Sequence, residues 1–374
     1  MKKAGILTYH YSFNYGAMLQ AYALNKTIES LGVSCEIIDY RFPPIYKYYQ
    51  DLRLSELIIK YGKIGGSLRY IKRYLRGDYS LKSSRNKYIY FRNKKLKLSK
   101  TYRSKESLKN LPYDYIVFGS DQIWNPVLTD GTAHEYIGNF LSLSKTKKFS
   151  YAASCGSENI PAEYQKEYFE HFKNLTHISV REENFCKNLN KNGLLAVHNI
   201  DPTLLLGKKD WLKLLGNYKL DVNLKNKFIL VYAFDEDASI YKGIDELAAQ
   251  TGFDVVVITD KIKPEHSKYI ILNNCGPLDF IYLFKNAEKV VTTSFHGTAF
   301  SVIFEKDFYC IPHKLYHERT DSLLKLLCLE NHNFKDFSKL PKTNKINYEK
   351  VNQIINNERN KAIEFLTEAL NVKN

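Results

Sequence analysis

Apolar positions along this chain follow two alternating periods. Runs of consecutive β-branched and aromatic residues read as strands buried on both faces, and between them apolar residues recur three or four apart, as on one side of a helix. The first run covers 4–9. Ala17, Leu19, Ala21, Leu24, Ile28 and Leu31 then predict a helix that Gly32 ends, and 33–40 predicts the next strand. Strands are predicted again at 113–118, 148–154 and 178–180, with a helix from Pro161 to Phe172 that carries proline in the favoured first-turn place. Past a polar, lysine-rich stretch at 216–227 the rhythm restarts, with strands at 228–233 and 254–259 and helices at 240–250 and 277–286. It closes on a strand, loop, helix, strand unit across 290–312. Alternation of this kind predicts parallel sheets covered by helices. The chain is therefore read as an α/β protein with two doubly wound Rossmann-like domains facing a cleft, residues 1–207 and 226–345. Val351, Ile354, Ile355, Ala362, Phe365, Leu366 and Ala369 place a long amphipathic helix in 346–374, expected to pack back on the first domain.

With 374 residues, 44% of them hydrophobic, the chain can bury a core large enough for two domains. No stretch reaches about 18 uninterrupted apolar residues. Met1, Lys2 and Lys3 lead straight into a strand rather than a signal-peptide hydrophobic region, so a cytoplasmic protein is expected. The six cysteines lack any C-x-x-C spacing, which argues against a disulfide framework or a zinc site. Charge changes the picture more. Between Arg41 and Lys109 stand 20 basic residues against four acidic ones, an excess of +16 in a chain whose net charge is +15. Within this block, read as a helical insertion over about 41–110, Ile64, Leu68, Ile71 and Leu75 fall at helical spacing while Lys63, Arg69, Lys72, Arg73 and Arg76 take other faces. Such a helix suits an anionic membrane surface or an acidic polymer, or it packs its stripe on a domain and solvates its charges.

Candidate chemistry concentrates in the unit at 290–312. Ser294-Phe295-His296-Gly297-Thr298 interrupts it between strand and helix, where helix-terminal N–H groups favour an anion. His296 can hold or donate a proton near neutral pH, and Gly297 lets backbone approach a ligand; the bland alternatives are a capping histidine and a turn glycine. Ser120, Asp121 and Trp124 follow a strand and suit a pocket that hydrogen-bonds a hydroxylated ligand and stacks on it, with Asp121 either a general base or a helix cap. Arg181, at a strand's exit, is a clamp for carboxylate or phosphate, or else a surface ion pair. Asn14 and Gly16 form a substrate-facing loop or an ordinary turn before the first helix. His313, His317 and Glu318 invite a metal, but Pro312 just before them predicts a loop, so no metal site is expected.

Taken in order, NYGAMLQAYAL from Asn14, VFGSDQIWNP from Val117, SYAASCGS from Ser150, SVREENF from Ser179, DPTLLL from Asp201 and TTSFHGTAFSVIF from Thr292 resemble the polysaccharide pyruvyl transferase family. The resemblance runs from about Gly5 to about Leu329, leaving the basic block and the C-terminal helix unmatched. It implies transfer of pyruvate from phosphoenolpyruvate to a sugar of a cell-surface polysaccharide or its lipid-linked precursor, on a fold similar to the two-domain GT-B architecture of glycosyltransferases. Family members resemble Arg-Leu-His where this chain has Ser294-Phe295-His296, so the histidine matches and the neighbouring cation does not. Arg181 and Arg319 are the natural replacements. The expected donor site is Arg181, Ser294, Gly297, Thr298 and Arg319, and the expected acceptor side is Asn14, Gly16, Ser120, Trp124 and Asp201.

Phosphoenolpyruvate carries a phosphate and a carboxylate, so its site needs cations and helix-terminal N–H groups. Its C2 becomes electrophilic when C3 is protonated, by an acid with a pKa close to neutral; His296 fits that acid. One acceptor hydroxyl then adds at C2 with help from a base, for which Asp121 fits, and a second expels phosphate to close a ketal. Neither metal nor cofactor is demanded, because ionic clamps can stabilise the leaving phosphate. Two other readings stay open. One is a GT-B glycosyltransferase using a nucleotide-sugar donor in the same cleft; the other is a glycan- or nucleic-acid-binding protein acting through the basic block and its Tyr46, Tyr48, Tyr49, Tyr70 and Tyr74. No nucleic-acid motif is present, so the expected partner is a glycan acceptor, with the basic block touching the anionic inner face of the plasma membrane.

Overall fold

Runs such as Ile116, Val117, Phe118 and Ile229, Leu230, Val231 are fully buried, and backbone so placed satisfies its hydrogen bonds inside parallel sheets covered on both faces. The computed structural model describes residues 2–41, 58, 62–68, 71, 79–129, 131–140, 146–234, 240–259, 262–312 and 317–372. Its first sheet has the order β3-β2-β1-β4-β5, with β1 at Lys3–Leu7, β2 at Ser34–Tyr40, β3 at Leu98–Tyr102, β4 at Tyr115–Phe118 and β5 at Lys147–Ser150. Two short strands, β6 at Ile178–Val180 and β7 at Ala196–His198, pair beside it and are tied to the β5 side by bridges Phe149 to His177 and Ala153 to Val180. The second sheet repeats the same order as β10-β9-β8-β11-β12, from β8 at Phe228–Tyr232, β9 at Asp254–Ile258, β10 at Ile270–Leu272, β11 at Lys289–Thr292 and β12 at Asp307–Cys310. All pairings within both sheets are parallel. In each sheet the order reverses between the first strand and its neighbour, β1 with β4 and β8 with β11, and that reversal opens a crevice at the strands' carboxyl ends.

Five helices position the site. α1 at Tyr15–Ser30 is capped by Asn14, whose Oδ1 accepts the Ala17 N–H at 3.1 Å. α2 at Tyr79–Lys95 comes from the basic block, α3 at Pro277–Asn286 and α4 at Phe295–Ile303 belong to the second sheet, and α5 at Tyr348–Ala369 is C-terminal. α5 packs back on the first domain as its pattern predicts: Phe365 meets Phe149 and Tyr151, and Arg359 donates to the carbonyls of Leu204 at 2.6 Å and Leu206 at 3.1 Å. The basic block is not wholly an insertion. It supplies edge strand β3, whose half-exposed Leu-Ser-Lys-Thr-Tyr carries too little apolar signal to read as a strand. It also supplies α2, which crosses to the second domain, where Lys87 pairs with the fully buried Asp279 at 3.0 Å.

One cluster of buried apolar side chains runs from Ile6, Leu24 and Val117 through Leu204 and Trp211 to Phe280, Val290 and Phe300. The two sheets therefore share a core. At its edge Tyr15 of α1 stacks on Phe280 of α3, ring centroids 4.8 Å apart, and on Tyr88 of α2 at 5.4 Å. An interface this apolar resists domain separation. Among the described residues no helix is long and apolar enough to cross a membrane. The predicted basic stripe is helical over 62–68, with Ile64 and Leu68 exposed; Arg69, Lys72, Arg73, Leu75, Arg76 and the tyrosines 46, 48, 49, 70 and 74 lie outside the described residues.

Candidate active site

The site forms where the first turn of α4 meets the first turn of α1. Ser294 caps α4, its Oγ accepting the Gly297 N–H at 3.4 Å, which places His296 inside the first helical turn rather than in a loop. The imidazole then abuts Gly16: a Cβ there would lie 1.9 Å from His296 Nδ1. Gly16 carries no positive φ, so its lack of a side chain serves this close approach and not a turn. His296 keeps 8% of its surface exposed, and its Nε2 has no hydrogen-bond partner.

Facing that nitrogen is a buried ion cluster from the first domain. Asp201 caps the short helix Pro202–Leu205, with Oδ1 accepting from the N–H and hydroxyl of Thr203 at 2.9 and 2.8 Å. Its Oδ2 takes Arg181 Nη1 at 2.9 Å and Ser120 Oγ at 3.0 Å, and stands 3.8 Å from His296 Nε2. Arg181 Nε donates to Glu182 Oε1 at 3.2 Å, an oxygen that also accepts Ser154 Oγ at 2.7 Å. The guanidinium lies 4.7 Å from the Phe295 ring centre, so its face is covered by the residue beside His296. Arg181 Nη2 and Glu182 Oε2 are buried with no hydrogen-bond partner. Three polar groups in one network thus keep hydrogen-bonding capacity that an incoming ligand can use.

Electrostatics sets the protonation states. Burial pushes the His296 pKa down to about 4 from its ordinary 6.5; Arg181 and Arg319 push the same way, while Asp201 and Asp121 pull against them. Burial also opposes ionisation of Asp201, but His296, Arg181 and the Thr203 N–H outweigh it and hold the carboxyl below its usual range. At neutral pH the unliganded site therefore holds a neutral imidazole beside a carboxylate and a guanidinium, which corrects the expectation of an acid already poised near neutrality. The sequence could not show this, because the burying surfaces come from two domains.

The family model for polysaccharide pyruvyl transferase matches residues 14–314. The chain belongs to the polysaccharide pyruvyl transferase family. That span holds the cap residue Asn14, both halves of the ion cluster and all of α4. No curated protein sequence matches the chain. Among solved structures it is similar to a UDP-GlcNAc 2-epimerase from Neisseria meningitidis bound to UDP-GlcNAc, at 12% identity and TM-score 0.49 over 100% of this chain and 95% of that one. It is also similar to the S. aureus MnaA structure with UDP, at 13% identity and TM-score 0.48 over 99% and 91% of the two chains. A third, the glycosyltransferase SnogD from Streptomyces nogalater, has 10% identity and TM-score 0.41 over 99% and 95%.

Other residues expected to act in this pyruvyl transferase family member are distributed unevenly. Asp121 is half-buried in the left-handed region, φ 84°, at the end of β4; its Oδ1 accepts the Gln122 N–H at 2.8 Å, and it caps no helix. It faces the cluster closely enough to act on both Arg181 and His296. Arg319 is half-buried and acts electrostatically on His296. Ser120, Asp201, Arg181, Gly16 and His296 are brought together, whereas Asn14 is spent on its cap. Three expectations need correction. Trp124 is fully buried, donating to the Tyr136 carbonyl at 2.9 Å and packing 4.2 Å from Phe172, so it is core and no stacking platform. Gly297 does not admit a ligand: a Cβ there would strike Thr292 Oγ1 at 2.1 Å, so its role is packing of α4 on β11. Thr298 is fully buried with its hydroxyl on the Ser294 carbonyl at 3.1 Å. Ser154 and Glu182 were missed, although both stand within the motifs that carry the family resemblance. His317 pairs with Asp321 at 2.8 Å, and among the described residues no group of three His, Cys, Asp or Glu is placed to hold a metal; His313 lies outside them. A cavity of about 260 Å³ reaches the cluster at Glu182, but Glu158, Glu183, Glu318 and Asp321 also line it, the wrong sign for a phosphate.

Proposed function

We propose that this enzyme transfers pyruvate from phosphoenolpyruvate to a pair of hydroxyls on a polysaccharide sugar, leaving a ketal. The observation that carries the proposal is the pair of buried nitrogens without partners, Arg181 Nη2 and His296 Nε2, on either side of Asp201 Oδ2. Arg181 is fixed by Asp201 and Glu182 with one N–H in reserve for an oxyanion. Its position supports it as the cation that stands in for the one absent at Ser294, with Arg319 also acting electrostatically on His296. Burial is what keeps His296 neutral, against the pull of Asp201 and Asp121; a bound phosphate and carboxylate would add negative charge beside it and favour the imidazolium. The donor thus charges its own acid. His296 delivers its proton to C3, the first acceptor hydroxyl bonds to C2 and yields its proton to Asp121, and the second bonds to C2 as the C2–O bond to phosphate breaks, closing the ketal and passing its proton to the departing phosphate. His296 is neutral again once it has given up its proton, and no metal or redox partner enters the balance.

Thermal stabilisation separates this donor from a nucleotide sugar. Phosphoenolpyruvate at 100 times its Kd should stabilise the fold by about 2.7 kcal/mol while a panel of UDP- and GDP-sugars leaves it unchanged. The reverse result would assign the site to glycosyl transfer.

Peripheral attachment to the cytoplasmic leaflet, where a lipid-linked acceptor is displayed, is supported by the exposure of Ile64 at 79%, Leu68 at 61% and Ile71 at 50%, beside exposed Lys63. Changing Lys63, Lys72, Arg73 and Arg76 together to Glu should release the protein from anionic vesicles while activity on a short soluble acceptor persists. A wild-type protein that ignores such vesicles at low salt removes this part.

A further inference from the structure

A second cationic cluster lies one strand away from the ion cluster, and the chemistry above does not use it. Tyr11, in the loop leaving β1, has its ring between two guanidinium groups: Arg41, after β2, at 3.7 Å from the ring centre, and Arg92, in the last turn of α2, at 4.1 Å. The two arginines differ in their partners. Arg41 is satisfied by Asp39, with Nε to Oδ1 at 2.8 Å and Nη2 to Oδ2 at 2.9 Å. Asp39 is in turn fully engaged, since His10 Nε2 lies 3.0 Å from Oδ1 and Thr101 Oγ1 donates to Oδ2 at 2.6 Å. Arg92 has no ion pair among the described residues. It is 6% exposed, its Nε donates to Asn93 Oδ1 at 3.2 Å, and its Nη1 is buried with no partner. Burying a cation is costly unless a counter-charge meets it, and two guanidinium groups share one carboxylate here. Among the described residues the cluster is short of one negative charge.

Its place in the fold says where that charge comes from. Tyr11, Arg41 and Thr101 stand at the carboxyl ends of β1, β2 and β3, on the same sheet edge as Ser120 after β4. Thr8 joins the two clusters, its Oγ1 donating to the Ser120 carbonyl at 2.5 Å and its own carbonyl lying 3.1 Å from His10 Nδ1. A glycan that offers two hydroxyls near His296 and continues along this edge crosses the end of β1 and arrives at Arg92.

We propose that Arg41, Tyr11 and Arg92 form an oxyanion subsite for the acceptor, in which Arg92 grips a carboxylate or phosphate carried by the glycan at a distance from the hydroxyls that react. Assignment to the acceptor rests on the pyruvyl-transfer reading; the anion site itself does not. The oxyanion has two sources, the carboxylate of an acidic sugar or the phosphate that joins a glycan to its carrier, and both present the planar or tetrahedral oxygens a guanidinium fork recognises.

Calorimetric titration of the full-length protein with methyl glucuronide, a sugar 1-phosphate and neutral methyl glucoside tests this, in wild type, Arg92→Gln and Arg92→Lys. The expected result is that one anionic probe binds wild type, binds about tenfold or more weaker in Arg92→Gln, and recovers partly in Arg92→Lys, whereas phosphoenolpyruvate affinity and thermal unfolding stay at wild-type values. The anion that behaves this way identifies the source. Three results overturn the proposal: anionic probes binding no better than methyl glucoside, equal affinity in wild type and a folded Arg92→Gln, or a loss of phosphoenolpyruvate binding in Arg92→Gln, which places the cluster in the donor site. If wild type does not bind phosphoenolpyruvate at all, the pyruvyl reading fails while the Arg92-dependent titration still decides the anion site.

Discussion

The two sheets have one strand order between them, 3-2-1-4-5 in each, yet their carboxyl edges are built from different materials. At the first edge and the end of the β6–β7 pair beside it stand Asp39, Ser120, Asp121, Arg181, Glu182 and Asp201, most of them buried and joined in ionic networks. At the second, the hydroxyls of Thr292 and Thr293 are consumed by the carbonyls of Tyr232 and Phe234, and His296 is the titratable group brought to the cluster by the first turn of a helix. Repetition of a scaffold therefore does not repeat its chemistry. One domain holds a preorganised charge network, the other delivers a single ring into it, and neither is a site alone.

The comparison breaks most sharply at His296. His296→Ala should lower turnover by about 10²- to 10⁴-fold with donor affinity changed only several-fold, because its proton is needed in the transition state. Near-normal turnover would leave the second edge with no chemical role. Next is Gly16→Ala. Alanine suits a helix better than glycine, so the fold should survive, but a Cβ 1.9 Å from the imidazole must displace it. A shift of about 1 Å costs on the order of 10²-fold in rate, read as kcat in a protein with unaltered unfolding.

Arg181 sharpens the first edge. Arg181→Ala strands the buried carboxylates of Asp201 and Glu182, and should destabilise the fold by about 3–5 kcal/mol. Arg181→Lys retains the charge and loses the fork, so it should fold and weaken phosphoenolpyruvate binding by roughly tenfold, about 1.4 kcal/mol. Unchanged donor affinity in Arg181→Lys moves the clamp elsewhere. The smallest effect is expected at Ser294→Ala, about 1 kcal/mol of stability from the lost cap and little in turnover, since the hydroxyl holds a helix N–H and not the donor.

Stability against pH carries the same contrast. The unfolded histidine binds a proton below its ordinary 6.5, whereas folded His296 resists until about 4, so unfolded chains hold more protons in that window and stability falls as pH drops through it. His296→Gln should flatten this slope. Asp201, held below its usual range, gives stability that is present above the ordinary carboxylate pKa and fades only at more acidic pH.

Much of this was legible in the residues, and for physical reasons. Strands buried on both faces leave unbroken apolar runs, which is why both sheets, α3 and the β11–α4–β12 unit read clearly, and why ordered motifs across them carried the family. Strand ends ran long, 148–154 against Lys147–Ser150, because the small residues after β5 prolong its buried pattern although Ala152 turns left-handed, φ 48°, and the N–H groups of Ala152 and Ala153 go to Ser179 of β6. What did not read depends on contacts between distant segments. Trp124 in a polar, glycine-flanked motif looks like a ligand platform until Tyr136 and Phe172 enclose it. Gly297 looks permissive until Thr292 fills the space beside it. The neutral state of His296 follows from Gly16, Arg181 and a core shared by two domains, none adjacent in sequence.

If the donor creates the acid it needs, its binding takes up a proton, and that uptake can be measured directly. Phosphoenolpyruvate titrated into the protein at pH 7 in buffers of different ionisation enthalpy should give an uptake of close to one proton more for wild type than for His296→Gln, with both proteins binding the donor. Equal proton exchange in the two, with donor binding intact, would contradict it.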